Sequence, residues 1–223
     1  FDYAVLSPGV PCDLPFIKKA KSSGVKVISE VELAYTLTEC PVCAITGTNG
    51  KTTTTTLTGM LLNKKYKNTA VVGNIGVAYS EKVKSLKADD FVCAEISSFQ
   101  LETSDTFRPH IAVVLNITPD HLNRHKTMDN YVAVKEKIFM KQNKDDFTIL
   151  NKNDEYCVKM ADKTKGKVFF FSSAEKLDEG IYLDGDNIHI KWNGLDEDVI
   201  NIHDLRILGT HNYENVMAAV ACA

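Results

Sequence analysis

Short apolar runs of strand length alternate along the chain with longer stretches in which apolar positions recur every three or four residues. The short runs predict strands at 25–28, 42–46, 70–72, 91–96, 111–116, 147–150 and 168–170, and the longer ones predict helices at 14–22, 52–64, 130–141 and 154–161. This alternation at crossover spacing is the mark of an α/β protein with a mostly parallel sheet flanked by helices. From Gly180 the rhythm changes. Ile181-Tyr182-Leu183, a turn at Asp184-Gly185-Asp186-Asn187, and Ile188-His189-Ile190-Lys191-Trp192 read as a hairpin, so a small antiparallel annex is expected to cap the parallel sheet. Residues 212–223 predict a last, Ala-rich helix with no stop signal of its own.

At the other end, Phe1-Asp2-Tyr3-Ala4-Val5-Leu6 reads as a strand already under way. A short helical pattern over 30–37 then gives way to Pro41 and a new strand, which predicts a domain boundary near 36–39. Residues 1–37 are thus expected to be the tail of one domain and 38–223 a nearly whole second one, with both ends of the chain read as cuts.

Composition narrows the partners. The 223 residues carry 26 Lys+Arg against 29 Asp+Glu, a net charge of −3, with 44% hydrophobic and 25% charged residues. That is an ordinary globular balance. It supplies no basic footprint for nucleic acid and no basic run for an anionic membrane. The longest apolar stretches, 111–115 and 168–171, are far short of a membrane span. Six cysteines without a secretory signal are expected to be reduced, cytosolic thiols. Cys40-Pro41-Val42-Cys43 has a C-x-x-C spacing, but no second ligand pair follows to complete a zinc site.

The sharpest chemical signal is Ala44-Ile45-Thr46-Gly47-Thr48-Asn49-Gly50-Lys51-Thr52-Thr53. An apolar strand, a turn with two glycines and Lys-Thr opening a helix make the setting of a P-loop. Backbone N–H groups can close on phosphate oxygens, the helix start adds positive potential, Lys51 can reach the terminal phosphates, and the Thr52 hydroxyl can ligate Mg²⁺. Ile45 stands where the usual pattern has its first glycine.

Further polar groups stand where strands end. Glu95 closes one apolar run, and Asp120 with His121 follows the next, at the sheet edge where open α/β folds bind ligands. Such groups suit a divalent ion held with phosphates. On the helix around 130–138, Tyr131, Lys135 and Ile138 fall at i, i+4 and i+7, which sets Lys135 on the apolar stripe. An ammonium there must snorkel, pair or be modified. Asn212 and Asn215 open the last helix with amides able to read a base or ribose edge.

Together with Gly73-Asn74-Ile75-Gly76 and Gly209-x-His211-Asn212-x-x-Asn215, these motifs resemble the Mur ligase family, the ATP-dependent amino-acid ligases of peptidoglycan synthesis. The resemblance implies that residues 38–223 form the ATP-binding central domain and residues 1–37 the end of a Rossmann-like UDP-sugar domain, with the C-terminal ligase domain absent, which would leave the fragment inactive alone. Within the family, the segment from Glu95 to Glu102 looks like the member that joins D-glutamate to UDP-N-acetylmuramoyl-L-alanine through an acyl phosphate. The resemblance further implies ATP contacts from Gly47, Thr48, Asn49, Gly50, Lys51, Thr52, Thr53, Asn212 and Asn215. It gives two Mg²⁺ ions, one on Thr52 and Glu95 and the other on His121 and a carbamylated Lys135, and makes Lys51, Lys135 and His121 catalytic. Asn74, Ser97 and Gln100 would lie near the muramoyl-alanine end and Gly9 near the uridine diphosphate. A cytoplasmic monomer acting on small molecules is expected. The alternatives are another Mur or folylpolyglutamate-synthase-like ligase, a non-catalytic nucleotide-binding module, or a plain α/β domain.

Overall fold

The computed structural model describes residues 1–207 and 209–223. The elements, in chain order, are β1 (Tyr3–Leu6), α1 (Pro15–Ser22), β2 (Lys26–Ser29), α2 (Glu30–Thr36), β3 (Val42–Thr46), α3 (Lys51–Leu62), β4 (Thr69–Gly73), α4 (Tyr79–Lys82), β5 (Phe91–Glu95), α5 (Ser98–Leu101) and β6 (Ile111–Val114). They continue with α6 (Leu122–His125), α7 (Met128–Glu136), β7 (Phe147–Asn151), α8 (Glu155–Met160), β8 (Lys167–Ser172), β9 (Gly180–Asp184), β10 (Asn187–Trp192), β11 (Leu195–Asn201) and α9 (Thr210–Ala221).

Among the described residues β1 and β2 form a parallel pair of their own, and the other strands form one sheet in the order β11-β10-β9-β8-β7-β6-β3-β5-β4. β3 runs parallel to β5 on one side and β6 on the other. The chain leaves β3 for the edge strand β4, returns to β5, and then crosses to β6. Connections therefore part in opposite directions at the carboxyl ends of β3, β5 and β6, which opens a crevice there.

Alternate side chains of the central strands feed two cores. Val42 and Ala44 of β3 join Val92, Ala94, Ala112 and Val114 on the face covered by α2, α5, α7 and α8. Cys43 and Ile45 join Cys93, Val113 and Ile149 on the face covered by α3 and α9. Because both faces are covered, the strands are apolar throughout.

The expected boundary at 37/38 falls between α2 and β3, yet Val31 and Ala34 of α2 are fully buried in the core of the large sheet. The buried Glu32 carboxylate accepts hydrogen bonds from the backbone N–H groups of Asp105 (3.1 Å), Thr106 (2.6 Å) and Phe107 (3.0 Å). The segment before β3 is thereby tied to the loop between α5 and β6.

Two expectations change. The annex extends the sheet instead of capping it: β9 pairs parallel with β8, and β10 and β11 follow antiparallel. β11 had no apolar alternation to announce it, since Asp196, Glu197 and Asp198 are exposed along an edge. The helix expected over 130–141 is regular only to Glu136, after which Ile138 and Phe139 bond back three residues and tighten the chain into turns.

Candidate active site

The turn from β3 into α3 is shaped by Gly50, which has φ 84° and whose missing Cβ leaves room for the Asn215 side chain. The first backbone bond of α3 runs from Thr54 N to Gly50 O at 2.9 Å. The N–H groups of the first turn accordingly point out of the helix start, where an anion is favoured. The Lys51 amine folds over the turn and donates to the carbonyls of Gly47 (3.0 Å) and Thr48 (2.8 Å). Burial lowers its pKa, with Glu95 and Asp120 opposing that shift.

Glu95 ends β5 and is buried beside this turn. One carboxylate oxygen accepts from the Thr52 hydroxyl at 2.8 Å and the other from the Asn74 amide at 2.8 Å. Asn74 reaches it because Gly73 (φ 101°) lets the chain pass against the Glu95 carbonyl, which accepts from Asn74 N at 2.9 Å. Thr52 and Glu95 form an oxygen donor pair that suits a hard divalent cation.

Lys135 on α7 is 2% exposed. Its amine donates to Gly47 O at 2.8 Å and Thr46 Oγ1 at 3.2 Å, and lies 4.9 Å from the Tyr131 ring centroid. No carboxylate pairs with it among the described residues. Burial, and secondarily the nearby Lys51 charge, lower its pKa to about 7. Two amines thus converge on the single carbonyl of Gly47.

The loop from β6 into α6 brings the remaining groups. Asp120 pairs with His121 at 3.3 Å, and His121 holds φ 51°, a left-handed conformation that costs a non-glycine residue about 1 kcal/mol or more. Phe99 packs against the rings of His121 and His125 at centroid distances of 4.8 and 5.7 Å. His125 is buried, shares a hydrogen bond with Ser98 Oγ at 3.0 Å, and has its pKa lowered by burial. Arg124 grips Glu102 through two bonds of 2.8 and 2.6 Å and donates to the carbonyls of Pro8 and Val10, each at 3.2 Å.

A cleft of about 110 Å³ is lined by Gly47, Lys51, Asn74, Ser97, His121 and Lys135, together with Ser98, Phe99, Asp120 and Tyr131. Six of the residues expected from sequence therefore meet in one place. Others stand apart from it. Gln100 is buried and forms a capping box with Ser97, accepting from Ser97 N at 2.9 Å while Gln100 N donates to Ser97 Oγ at 3.3 Å. The spacing Ser97-x-x-Gln100 is itself the signature of that cap. Asn215 is buried against α3, accepting from Thr54 Oγ1 at 3.3 Å and donating to Asn212 Oδ1 at 3.0 Å. Gly9 is exposed between the two carbonyls that Arg124 holds. A larger cavity of about 600 Å³ lies behind Arg124, between residues 11–13 and α6–α7, and is lined by none of the candidate catalytic, metal, nucleotide or substrate residues expected from sequence.

Sequence reasoning passed over Asn116, whose side chain spans from the end of β6 to the phosphate-type turn. Its partners lie 67 and 68 residues away in the chain, so no local pattern could reveal it.

A mostly parallel sheet flanked by helices, with a glycine-shaped turn, a lysine and a threonine–glutamate pair at its switch point, defines an α/β protein whose site suits an anion and a divalent cation. Residues 45–223 match the Mur ligase middle domain, and the chain belongs to the Mur ligase family. Along its whole length it is 48% identical over 222 residues to the UDP-N-acetylmuramoylalanine--D-glutamate ligase of Lachnoclostridium phytofermentans, of which it covers 49%. It is 47% identical over 225 residues to the ligase of that name from Clostridioides difficile strain 630, again covering 100% of this chain and 49% of the relative. The chain spans about half the length of the curated relatives it matches. Among solved structures it resembles a UDP-N-acetylmuramoyl-L-alanyl-D-glutamate--2,6-diaminopimelate ligase (TM-score 0.67, 20% identity, 99% of this chain and 58% of that one). It also resembles the UDP-N-acetylmuramate:L-alanyl-gamma-D-glutamyl-meso-diaminopimelate ligase of Neisseria meningitides (TM-score 0.68, 18% identity, 99% and 73%). At these identities the two structures speak for the fold alone.

Proposed function

We propose that the full-length protein joins D-glutamate to UDP-N-acetylmuramoyl-L-alanine at the expense of ATP, in the cytoplasm and as a monomer. The relatives' shared name and the cleft described above support this reading. In the first step the alanyl carboxylate oxygen attacks the γ-phosphorus, the bond to the ADP oxygen breaks, and an acyl phosphate forms. In the second the D-glutamate nitrogen attacks the acyl carbon and loses a proton, and the C–O bond breaks to release phosphate.

The chain's own groups serve mainly to bring anions together. The N–H groups at the start of α3 and the Lys51 amine face the triphosphate. Thr52 and Glu95 are an oxygen pair fit for one Mg²⁺, and His121 with a carbamylated Lys135 would hold a second. Bound Mg²⁺ would neutralise charge on the phosphates and the carboxylate. Asn212 and Asn215 are assigned to the adenosine, and Asn74, Ser97, Gln100 and Gly9 to the UDP-sugar substrate.

The observation that carries the reading is Lys135. A pKa near 7 leaves much of this amine neutral at physiological pH. A neutral amine attacks CO₂, forming an N–C bond and releasing a proton, and so becomes the carboxylate that a metal site needs. A plain nucleotide-binding module gives no reason for a buried lysine with no acidic partner among the described residues. The test is phosphate release by the full-length protein with UDP-N-acetylmuramoyl-L-alanine and a panel of amino acids. D-Glutamate should stimulate release, and Lys135→Ala should nearly abolish it. A response to a different amino acid alone would overturn the substrate assignment, and undiminished turnover by Lys135→Ala would overturn the carbamate role.

A further inference from the structure

Asn116 follows β6 by two residues, and its side chain is spent on the turn between β3 and α3. Its Oδ1 accepts from Thr48 N at 3.1 Å and Asn49 N at 2.8 Å, and its Nδ2 donates to Asn49 O at 3.1 Å. Its backbone carbonyl also accepts from Thr48 N at 2.9 Å. A primary amide both accepts and donates from one planar head, and here it does so against both sides of a single peptide strand. Thr48 is fixed from the same direction: its hydroxyl accepts from Thr118 N at 3.0 Å and lies within hydrogen-bond distance of Thr118 O (3.1 Å) and Tyr131 OH (3.2 Å).

We propose that Asn116 is a positioning residue for the nucleotide phosphates. By taking up the N–H groups of Thr48 and Asn49 from behind, it withdraws them from the anion and leaves that task to the N–H groups of Gly50, Lys51, Thr52 and Thr53 at the start of α3. It also sets the height of the Gly47 and Thr48 carbonyls on which Lys51 rests. The loop that begins at Asn116 carries Asp120 and His121 only a few residues later, so the amide couples the nucleotide turn to the opposite wall of the cleft. Asn116 touches none of the substrates in this role; it acts through the loop.

This inference rests on the ATP-dependent reading of the same site, and the experiment separates the two. In the full-length protein, Asn116→Ala should raise KM for ATP about tenfold, equivalent to about 1.4 kcal/mol, while KM for the acid and the amino acid stays within about twofold. Asn116→Asp is isosteric and keeps both acceptor bonds. It loses the donor to Asn49 O and adds negative charge beside the phosphates, so its KM for ATP should rise as well, and it serves where the alanine variant does not fold. Calorimetric titration with ADP and Mg²⁺ reads the same effect without turnover. Weaker ADP binding in either variant supports the positioning role even if the wild-type protein releases no phosphate, a result that would overturn the ligase reading alone. Unchanged ATP KM and ADP affinity would overturn the positioning role. So would an equal rise in all three KM values with a fall in melting temperature, the mark of a purely architectural residue.

Discussion

Burying an amine that meets no carboxylate is costly, and Lys135 carries that cost in a measurable form. Its pKa falls from 10.5 to about 7 on folding, so between those values the folded chain binds fewer protons than the unfolded chain. Stability contributed at this residue therefore rises with pH across that window, by about 1.4 kcal/mol per unit. In CO₂-free buffer Lys135→Met should be more stable than wild type near pH 7.5, and urea unfolding should show the gap narrowing towards pH 10. A gap that widens with pH would contradict the assignment. The position of Lys135 was legible because helical spacing aligned it with Tyr131 and Ile138, and Glu95 was legible because it ends an apolar run. Asn116 was not, since an amide at a strand end resembles any local cap until the distant loop is folded onto it. Ser97 and Gln100 were found by motif, but their cap was not read from the same spacing.

At the scale of elements, the strands buried on both faces announce themselves, whereas β11 is hidden by its own charge. It is held to β10 partly by His189, whose two ring nitrogens lie 2.8 Å from Asp198 and 2.8 Å from Asp196. Hydrogen bonding to Asp198 raises the His189 pKa above its ordinary value, with Asp196 adding to the shift. A raised histidine contributes stability that is fully present below the unfolded pKa of about 6.5 and is lost as pH climbs through the folded value. Amide hydrogen exchange across residues 195–201 should therefore be slower at pH 5.5 than at pH 8, after correction for intrinsic rates. Equal protection at both pH values, or a His189→Gln variant that keeps the difference, would dissociate the imidazole from the hairpin's order. The short α6 was equally hidden, because four residues starting from a left-handed His121 carry no periodicity.

For the molecule as a whole, the segment before β3 is joined to the large sheet by polar clamps as well as by the apolar face of α2. Glu32 satisfies three backbone N–H groups of the α5–β6 loop, and Arg124 holds the carbonyls on either side of Gly9. Glu32→Ala leaves those N–H groups without their buried acceptor and should destabilise the chain by about 3 kcal/mol. Denaturant unfolding measures this directly, and a loss below about 1 kcal/mol would show that the clamp is solvated. The net charge of −3 is compatible with the proposed reaction, in which polyanionic substrates would be met by a few local amines and by Mg²⁺ and not by a basic surface.

Among the described residues the large sheet stops at β11 on one side, and a terminal strand presents backbone donors and acceptors that another chain could extend. Asp196, Glu197 and Asp198 stand in sequence along that border. A second copy approaching in register would bring its own acidic triplet against them, and the repulsion would grow as the strands closed. The residues that concealed β11 from the hydrophobic pattern thus act as a guard rail of the kind that disfavours edge-to-edge pairing of strands.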